Sequence, residues 1–514
     1  MRFKVIDNDA RTPSEGKDIA YLWTDNWNDW FRYLTLFELT YFDADGTKHE
    51  LGGVKIGQFG LEKGRPDIPA SFTKLSKQFF SLGQDVAYYS KMATFDAAVR
   101  ADLLKSLRDI AADPELLAKV LPESVTGESL MRSVSLRSIQ GQFKRVVDGG
   151  AVLTEYSFQY RGPTPQVKDT DPVTLEFNVT PESMPPTNIH VLIGRNGVGK
   201  TFLLNRMTRA LVLSEPSRDD EGEFQSDDEF GLPSSESPFA NIVSVSFSAF
   251  DDFALLPERR NALKGVRYAS VGLRKRAKDK SDQTITITRD PSELGDEFVS
   301  SAKLCAQGDK GVRWQRALTA LESDPIFQDS QIAELALVGE SEFAKAAKQL
   351  WKSLSSGHKI VLLSITKLVE KVEERSLILM DEPEAHLHPP LLSAFVRALS
   401  DLLIHRNGVA IIATHSPVVL QEVPASCVYK IIRHGAVARG DRPEIETFAE
   451  NVGVLTREVF GLEVTRSGFH RMLSDATADA NSIPEVLQKF DNEVGSDGRA
   501  LISAQLANKD RTGQ

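Results

Sequence analysis

The sequence predicts an α/β fold with a parallel-sheet core, preceded by a β-rich N-terminal lobe, interrupted by a helical insertion and followed by a small helical C-terminal extension. Three observations lead there. Val191-Leu192-Ile193 runs into Gly194-Arg195-Asn196-Gly197-Val198-Gly199-Lys200-Thr201 and then into a helical pattern from Phe202 to Val212. From Ser353 onward, amphipathic helical stretches alternate with short apolar runs, Leu377 to Met380 and Val409 to Ala413. Such runs between helices suit parallel strands covered on both faces. The first of them delivers two carboxylates, Asp381 and Glu382, at its C-terminal end, where open α/β sheets bind ligands.

Composition sets the bounds. With 41% hydrophobic and 26% charged residues in 514, most of the chain is expected to bury a core, in two or three units. Met1 is followed by no apolar signal region, and no run of 18 apolar residues occurs, so a soluble cytoplasmic protein with no membrane partner is the expectation. Cys305 and Cys427 stand far apart and read as buried thiols. A net charge of −11 argues against a surface coated for nucleic acid, though not against a local basic patch.

Residues 1–187 read as the N-terminal β-rich lobe with a helical insert. Phe31 to Phe42 and Lys48 to Ile56 flank Asp43-Ala44-Asp45-Gly46, which is hairpin chemistry. Phe95 to Ile110 shows helical spacing, Val173 to Val179 alternates as a strand, and a Pro-rich linker ends the segment. Trp23, Trp27 and Trp30 recur at helical spacing and are assigned to core or interface before base stacking.

Residues 188–213 carry the strand, glycine loop and helix quoted above. Residues 214–350 form the insertion. Ser214 to Pro238 is rich in Asp, Glu, Ser, Gly and Pro and is expected to be a surface loop, followed by a strand from Ala240 to Phe247. Arg259, Arg260, Lys264, Arg267, Arg274, Lys275, Arg276, Lys278 and Lys280 then make a basic stretch, either a grip on phosphate backbones or a solvated loop balancing its acidic neighbour. Residues 351–440 hold the βαβ pattern, with helices over Ile360 to Glu374 and Leu391 to His405, and residues 441–514 the helical extension.

The chemistry concentrates in four places. The GxxxxGK[ST] loop turns backbone N–H groups and a helix N-terminus onto phosphates, so Gly194, Asn196, Gly197, Val198, Gly199, Lys200, Thr201 and Phe202 are the candidate ATP-binding residues. Lys200 is expected to reach the β- and γ-phosphates, while Thr201 and Asp381 are the candidate Mg²⁺ ligands. Glu382 sits where a general base can take a proton from attacking water. His415, ending the apolar run in Thr414-His415-Ser416, can as a neutral imidazole donate to the γ-phosphate and orient the water. Finally, Leu354-Ser355-Ser356-Gly357-His358-Lys359 opens the helix before Asp381, with Ser355 suited to its N-cap region.

These elements, in this order, resemble the ABC ATPase superfamily: Walker A, an LSGGQ-like signature, Walker B with its glutamate, and a switch histidine. The resemblance implies an ATP-dependent homodimer in which Ser355, Ser356 and Gly357 of one protomer cap the γ-phosphate held by the Walker A loop of the other. Asp381-Glu382-Pro383-Glu384-Ala385-His386-Leu387-His388-Pro389 is similar to the RecF, SMC and OLD side of the superfamily, not to transporter subunits. The Phe247 to Phe253 stretch and the Thr447 to Leu462 tail resemble the Septu anti-phage ATPases, the PtuA family. Two departures stand out. No glutamine ends the strand after Walker A, so Ser246 or Ser248 must substitute or the contact is missing, and the signature has Ser356 and His358 where glycine and glutamine are commoner.

The implied function is an ATPase and sensor subunit that controls a separate effector nuclease in anti-phage defence, with DNA contact through Arg274 to Lys280 open. Ser416 to Gln514 contains no Asp-x-Asp pair for a nuclease of its own. The alternative is a RecF- or SMC-like DNA clamp in repair, although the insertion lacks sustained heptads. An AAA+ ring, the third reading, fits the Ser-Ser-Gly-His signature poorly.

Overall fold

The computed structural model describes the chain apart from residues 8–9, 11–12, 14, 30–31, 150–152, 166–169, 214, 228–232, 235–236, 248–252, 260–265, 279–283, 307, 436, 462–467 and 513–514. Six strands, β1 (Arg2–Ile6), β2 (Ile19–Thr24), β3 (Leu36–Phe42), β4 (Lys48–Gln58), β5 (Ser71–Phe72) and β6 (Phe79–Gly83), form one N-terminal sheet in the order β5-β1-β2-β3-β4-β6. The predicted hairpin is β3–β4. Asp43 closes its turn, its Oδ1 accepting the N–H groups of Asp45 and Thr47, while Gly46 takes φ +86°. Helices Val86–Ala93, Ala97–Leu107 and Pro114–Val120 pack with this sheet around a core running from Phe3 to Val146.

The second sheet positions the candidate site. It comprises β9 (Ile189–Ile193), β12 (Asn241–Ser246), β13 (Arg267–Gly272), β16 (Ser376–Asp381), β17 (Val409–Thr414), β18 (Val428–His434) and β19 (Val437–Asp441), in the order β13-β12-β16-β17-β9-β18-β19. All pairings are parallel except β18–β19. Every residue of β9, β16 and β17 is buried. Alternate side chains explain why: Ile378, Met380, Ala410 and Ile412 enter one core with helices Ser356–Lys371 and Pro389–Ile404. Leu377, Leu379, Val409 and Ile411 enter another with helix Lys200–Val212.

Several expectations need correcting. The N-terminal core stops near residue 146, because β7 (Tyr156–Arg161) and β8 (Thr174–Val179) place Phe158, Tyr160 and Phe177 in the core of the second sheet. That hairpin joins the central body, not the lobe drawn to residue 187. The acidic segment from Ser214 to Pro238, expected as a loop, contributes β10 (Glu223–Asp227) and β11 (Pro233–Ser234), which extend the β7–β8 hairpin into a four-stranded sheet in the order β11-β10-β7-β8. Phe224 anchors it, tilted against Tyr160 at 5.1 Å, which loop-like composition conceals. Trp23 lies on strand β2, so its spacing with Trp27 is not that of a helix face, and Trp30 is outside the described residues.

The insertion is also mixed. The basic stretch forms β13 and an antiparallel hairpin, β14 (Arg274–Lys278) with β15 (Thr284–Thr288), and Arg260, Lys264 and Lys280 lie outside the described residues. Its helices, Pro291–Cys305, Gly308–Leu321, Pro325–Asp329 and Glu340–Ser353, bury Phe298, Trp314, Phe327 and Phe343 against Ser356–Lys371. Trp314 Nε1 donates to Thr366 Oγ1 at 3.1 Å. Cys305 and Cys427 are both buried, and burial pushes their thiols up to about 12 and about 11.

Helix Val452–Phe460 follows the sheet, and Leu473, Val486, Leu487, Ile502 and Leu506 make a small separate core in the C-terminal helices. No helix among the described residues is long and apolar enough to cross a membrane.

Candidate functional site

The glycine loop connects β9 to helix Lys200–Val212. Gly197 and Gly199 hold φ of +81° and +96°, a left-handed backbone that side chains rarely adopt. Lys200 folds back over the loop, and its Nζ donates to the carbonyls of Gly194 at 3.0 Å and Arg195 at 3.1 Å. Burial lowers its affinity for a proton, opposed by the carboxylates of Glu382, Asp381 and Glu384. Those three carboxylates therefore lie within electrostatic reach of the lysine. Thr201 follows in the first turn of the helix, and Phe202 is exposed, stacked under the Arg206 guanidinium at 4.2 Å.

Asp381 ends β16 and is flanked by Ser246 of β12 and Ala413 of β17 in the ladder register. Ser246 thus stands beside the candidate Mg²⁺ aspartate, whereas Ser248 falls outside the described residues. Glu382 takes φ +44°, and its N–H donates to the Ala413 carbonyl at 2.9 Å, which turns the chain off the sheet edge. Hydroxyl and carboxylate oxygens, from Thr201 and Asp381, are the hard donor set that Mg²⁺ prefers.

Glu384, two residues further, carries no role that the sequence motif reveals. Its side chain is only 8% exposed, and its Oε1 accepts from Thr414 Oγ1 at 2.5 Å and from the backbone N–H of His415 at 2.8 Å. His415 Nδ1 lies 3.1 Å from the same oxygen and 3.6 Å from Glu382 Oε1. Lys200, Asp381, Glu382 and His415 are thereby brought together at the C-terminal ends of the neighbouring strands β9, β16 and β17.

Ser355, Ser356 and Gly357 belong to a second group. Ser355 is the N-cap of helix Ser356–Lys371, and both serines are exposed. A Cβ on Gly357 would come within 2.6 Å of the His386 carbonyl, so glycine is needed for the helix start to approach the turn after Glu382. Ser355 Oγ is 2.6 Å from His358 Nδ1, and His358 Nε2 is 3.0 Å from Asp324 Oδ1. Asp324, His388 and His358 form a close cluster, their nearest ring nitrogens and carboxylate oxygens lying within 4.8 Å of one another. Asp324 carried no signal in sequence, since it lies in the insertion and reaches His358 only through folding.

A family model described as "AAA domain, putative AbiEii toxin, Type IV TA system" matches residues 330–421, a span that includes Ser355, Asp381, Glu382 and His415. Protein ea59 of Escherichia phage lambda is 41% identical over 538 residues, covering 99% of this chain and 99% of that protein. Among solved structures, the ADP conformation of an ATP-binding cassette of an ABC transporter is similar over 61% of this chain and 100% of that one, with 14% identity and a TM-score of 0.32. The SMC head domain from Thermotoga maritima is similar over 57% of this chain and 100% of that one, with 10% identity and a TM-score of 0.27.

Proposed function

We propose that this chain, which belongs to the family of Protein ea59 of Escherichia phage lambda, binds and hydrolyses ATP with Mg²⁺ at a composite site closed by two protomers. The observation that carries this reading is the convergence of Lys200, Asp381, Glu382 and His415 on neighbouring parallel strand ends, beside a glycine loop with left-handed backbone. Lys200 neutralises the β- and γ-phosphates, Thr201 and Asp381 hold Mg²⁺, and Glu382 accepts a proton from water aligned by His415. Ser355 and Ser356, exposed at a helix start, with buried Gly357 letting that start approach the turn after Glu382, serve the nucleotide of the partner.

At the level of biology, the chain acts as the ATPase and sensor subunit of an anti-phage system, passing its nucleotide state to a separate effector nuclease in the manner its PtuA resemblance implies. A matching model whose description names a toxin of a toxin–antitoxin system, and a relative carried by a phage, both support conflict between genetic elements as the setting. The second reading is a RecF- or SMC-like DNA clamp, favoured by Arg276 and Lys278 exposed on a β-hairpin. DNA-stimulated turnover without any partner selects the clamp. A requirement for a nuclease selects the sensor.

The composite site is tested by mixing two inactive proteins. Lys200→Ala and Ser355→Arg each break both sites of a homodimer, but the mixed dimer keeps one intact pairing of Walker A with signature. Activity partly restored on mixing supports the reading. Absence of rescue, with a Glu382→Gln protein that stays monomeric in ATP, overturns it.

A further inference from the structure

Ser355, His358 and Asp324 form a chain from an exposed hydroxyl to a buried carboxylate. Asp324 Oδ1 accepts the N–H groups of Ile326 at 3.0 Å and Phe327 at 3.3 Å, besides lying 3.0 Å from His358 Nε2. A carboxylate only accepts, so Nε2 of His358 carries a hydrogen. In the neutral ring Nδ1 is then an acceptor, and the Ser355 hydroxyl, 2.6 Å away, must donate to it. The single proton of the serine therefore points inward. Toward solvent it presents lone pairs, the wrong polarity for the oxygens of a phosphate.

Two routes turn the hydroxyl around. Rotation alone leaves Nδ1 of a side chain only 3% exposed without a partner, facing the serine lone pairs. Protonation of the ring instead lets Nδ1–H donate to Ser355 Oγ, which frees the hydroxyl hydrogen for the phosphate and replaces a neutral hydrogen bond with a charge-assisted one. We propose, resting on the reading that Ser355 meets the nucleotide of the partner, that closing the dimer on ATP takes up a proton at His358, with His358 and Asp324 as positioning residues for Ser355. The proton comes from solvent: exposed Ser355 accepts it on Oγ and passes its own hydrogen to Nδ1. No bond other than these O–H and N–H bonds changes.

Among the described residues, the ionisable groups facing His358 are Asp324 and His388, the latter with its Nε2 3.8 Å from Asp324 Oδ2 and its ring centroid 6.1 Å from that of His358. Phe327 covers another edge at 4.8 Å. His388 Nδ1 accepts the Leu391 N–H at 3.1 Å, so its neutral ring also bears hydrogen on Nε2, toward Asp324. Two ring N–H groups directed at one carboxylate, that of His358 hydrogen-bonded at 3.0 Å and that of His388 3.8 Å away, are not lone pairs converging on a metal. A glutamine at position 358, the commoner signature residue, presents N–H to Ser355 at every pH.

The test uses full-length protein carrying Glu382→Gln, followed by sedimentation in ATP between about pH 6.5 and 8.5. The ATP concentration for half-maximal dimerisation should rise by up to about tenfold per pH unit, and calorimetry in buffers of different ionisation enthalpy should report about one proton taken up per site. Adding His358→Gln should flatten the pH dependence while keeping dimerisation. Adding Asp324→Asn should move it to lower pH, because the charge favouring the imidazolium is gone. The same pH slope with and without His358→Gln overturns the proposal and leaves the dimer standing. Failure of Glu382→Gln to dimerise at any pH removes the composite site itself, and this proposal with it. Should His358→Gln not fold, as judged by its melting transition, the Asp324→Asn profile decides: a pH dependence left at its original position overturns the proposal.

Discussion

Glu384 Oε1 accepts the backbone N–H of His415 at 2.8 Å and lies 3.1 Å from its ring Nδ1, so a single carboxylate fixes the main chain of the histidine and sits against its ring. Glu384→Ala should release the ring and lower kcat by about tenfold to hundredfold, the usual cost of displacing a group from its aligned position. KM for ATP should change little, because Glu384 faces His415 and Thr414. Glu384→Gln keeps an acceptor oxygen and should restore part of the rate. Steady-state kinetics on both variants measure the split, and a rise in KM with kcat intact would place Glu384 in nucleotide binding instead.

Lys200 and Glu382 should separate binding from turnover. Lys200→Ala removes the ammonium that sits over the loop carbonyls, and nucleotide affinity in Mg²⁺ should fall by about tenfold or more. Glu382→Gln should bind ATP at the wild-type level and turn it over at least about a hundredfold more slowly. Equilibrium binding with a fluorescent nucleotide and phosphate release read the two effects, and wild-type turnover by Glu382→Gln would remove its assignment as base.

The basic hairpin has one usable face. Register puts Arg274, Arg276 and Lys278 on one side, while Lys275 is paired with Glu293 and Arg274 donates to the Phe253 carbonyl at 2.8 Å. Arg267 is further committed, buried on β13 and bonded to Glu373 and to the carbonyls of Met131 and Val134. The exposed pair Arg276→Glu and Lys278→Glu should weaken binding to DNA or to the effector and reduce the salt slope by about two. Titrations at several salt concentrations decide it, and unchanged slopes would return the hairpin to plain solvent-facing surface.

Asp85 joins the two bodies of the protein. It caps helix Val86–Ala93 and pairs with Arg406, after helix Pro389–Ile404, and with Arg313 at 3.2 Å. Burial alone would push its carboxyl up, but the two guanidinium groups outweigh that and hold it well below the usual range. A carboxyl depressed in the folded state stabilises above the unfolded value of about 4, and that stability is lost as pH falls through it toward the folded value. Urea denaturation should therefore show steep loss of stability below about pH 4. Asp85→Asn, which takes the carboxylate away from buried Arg406 and half-buried Arg313, should cost about 3–5 kcal/mol at neutral pH and flatten that acid limb.

What the sequence determined by itself was the chemistry set by short-range pattern. The glycine loop, the apolar strands ending in Asp381 and Thr414, and the helix that starts at Ser355 are local signals, because left-handed turns, two-sided burial and helix N-caps are each written within a few residues. The hairpin at Asp43 was legible for the same reason. Tertiary structure alone decided the rest. The strand order β16-β17-β9 gathers Lys200, Glu382 and His415, although 182 and 33 residues separate them in the chain. Glu384 acquires its role only when β17 lies beside β16, and Asp324 meets His358 only after the insertion helices pack on Ser356–Lys371. The acidic segment became a strand because Phe224 found Tyr160, and Arg267 left the basic patch because Glu373 lay beneath it. In each case the deciding contact is non-local, and composition along the chain does not reveal which side chains folding will bring within hydrogen-bonding or van der Waals distance.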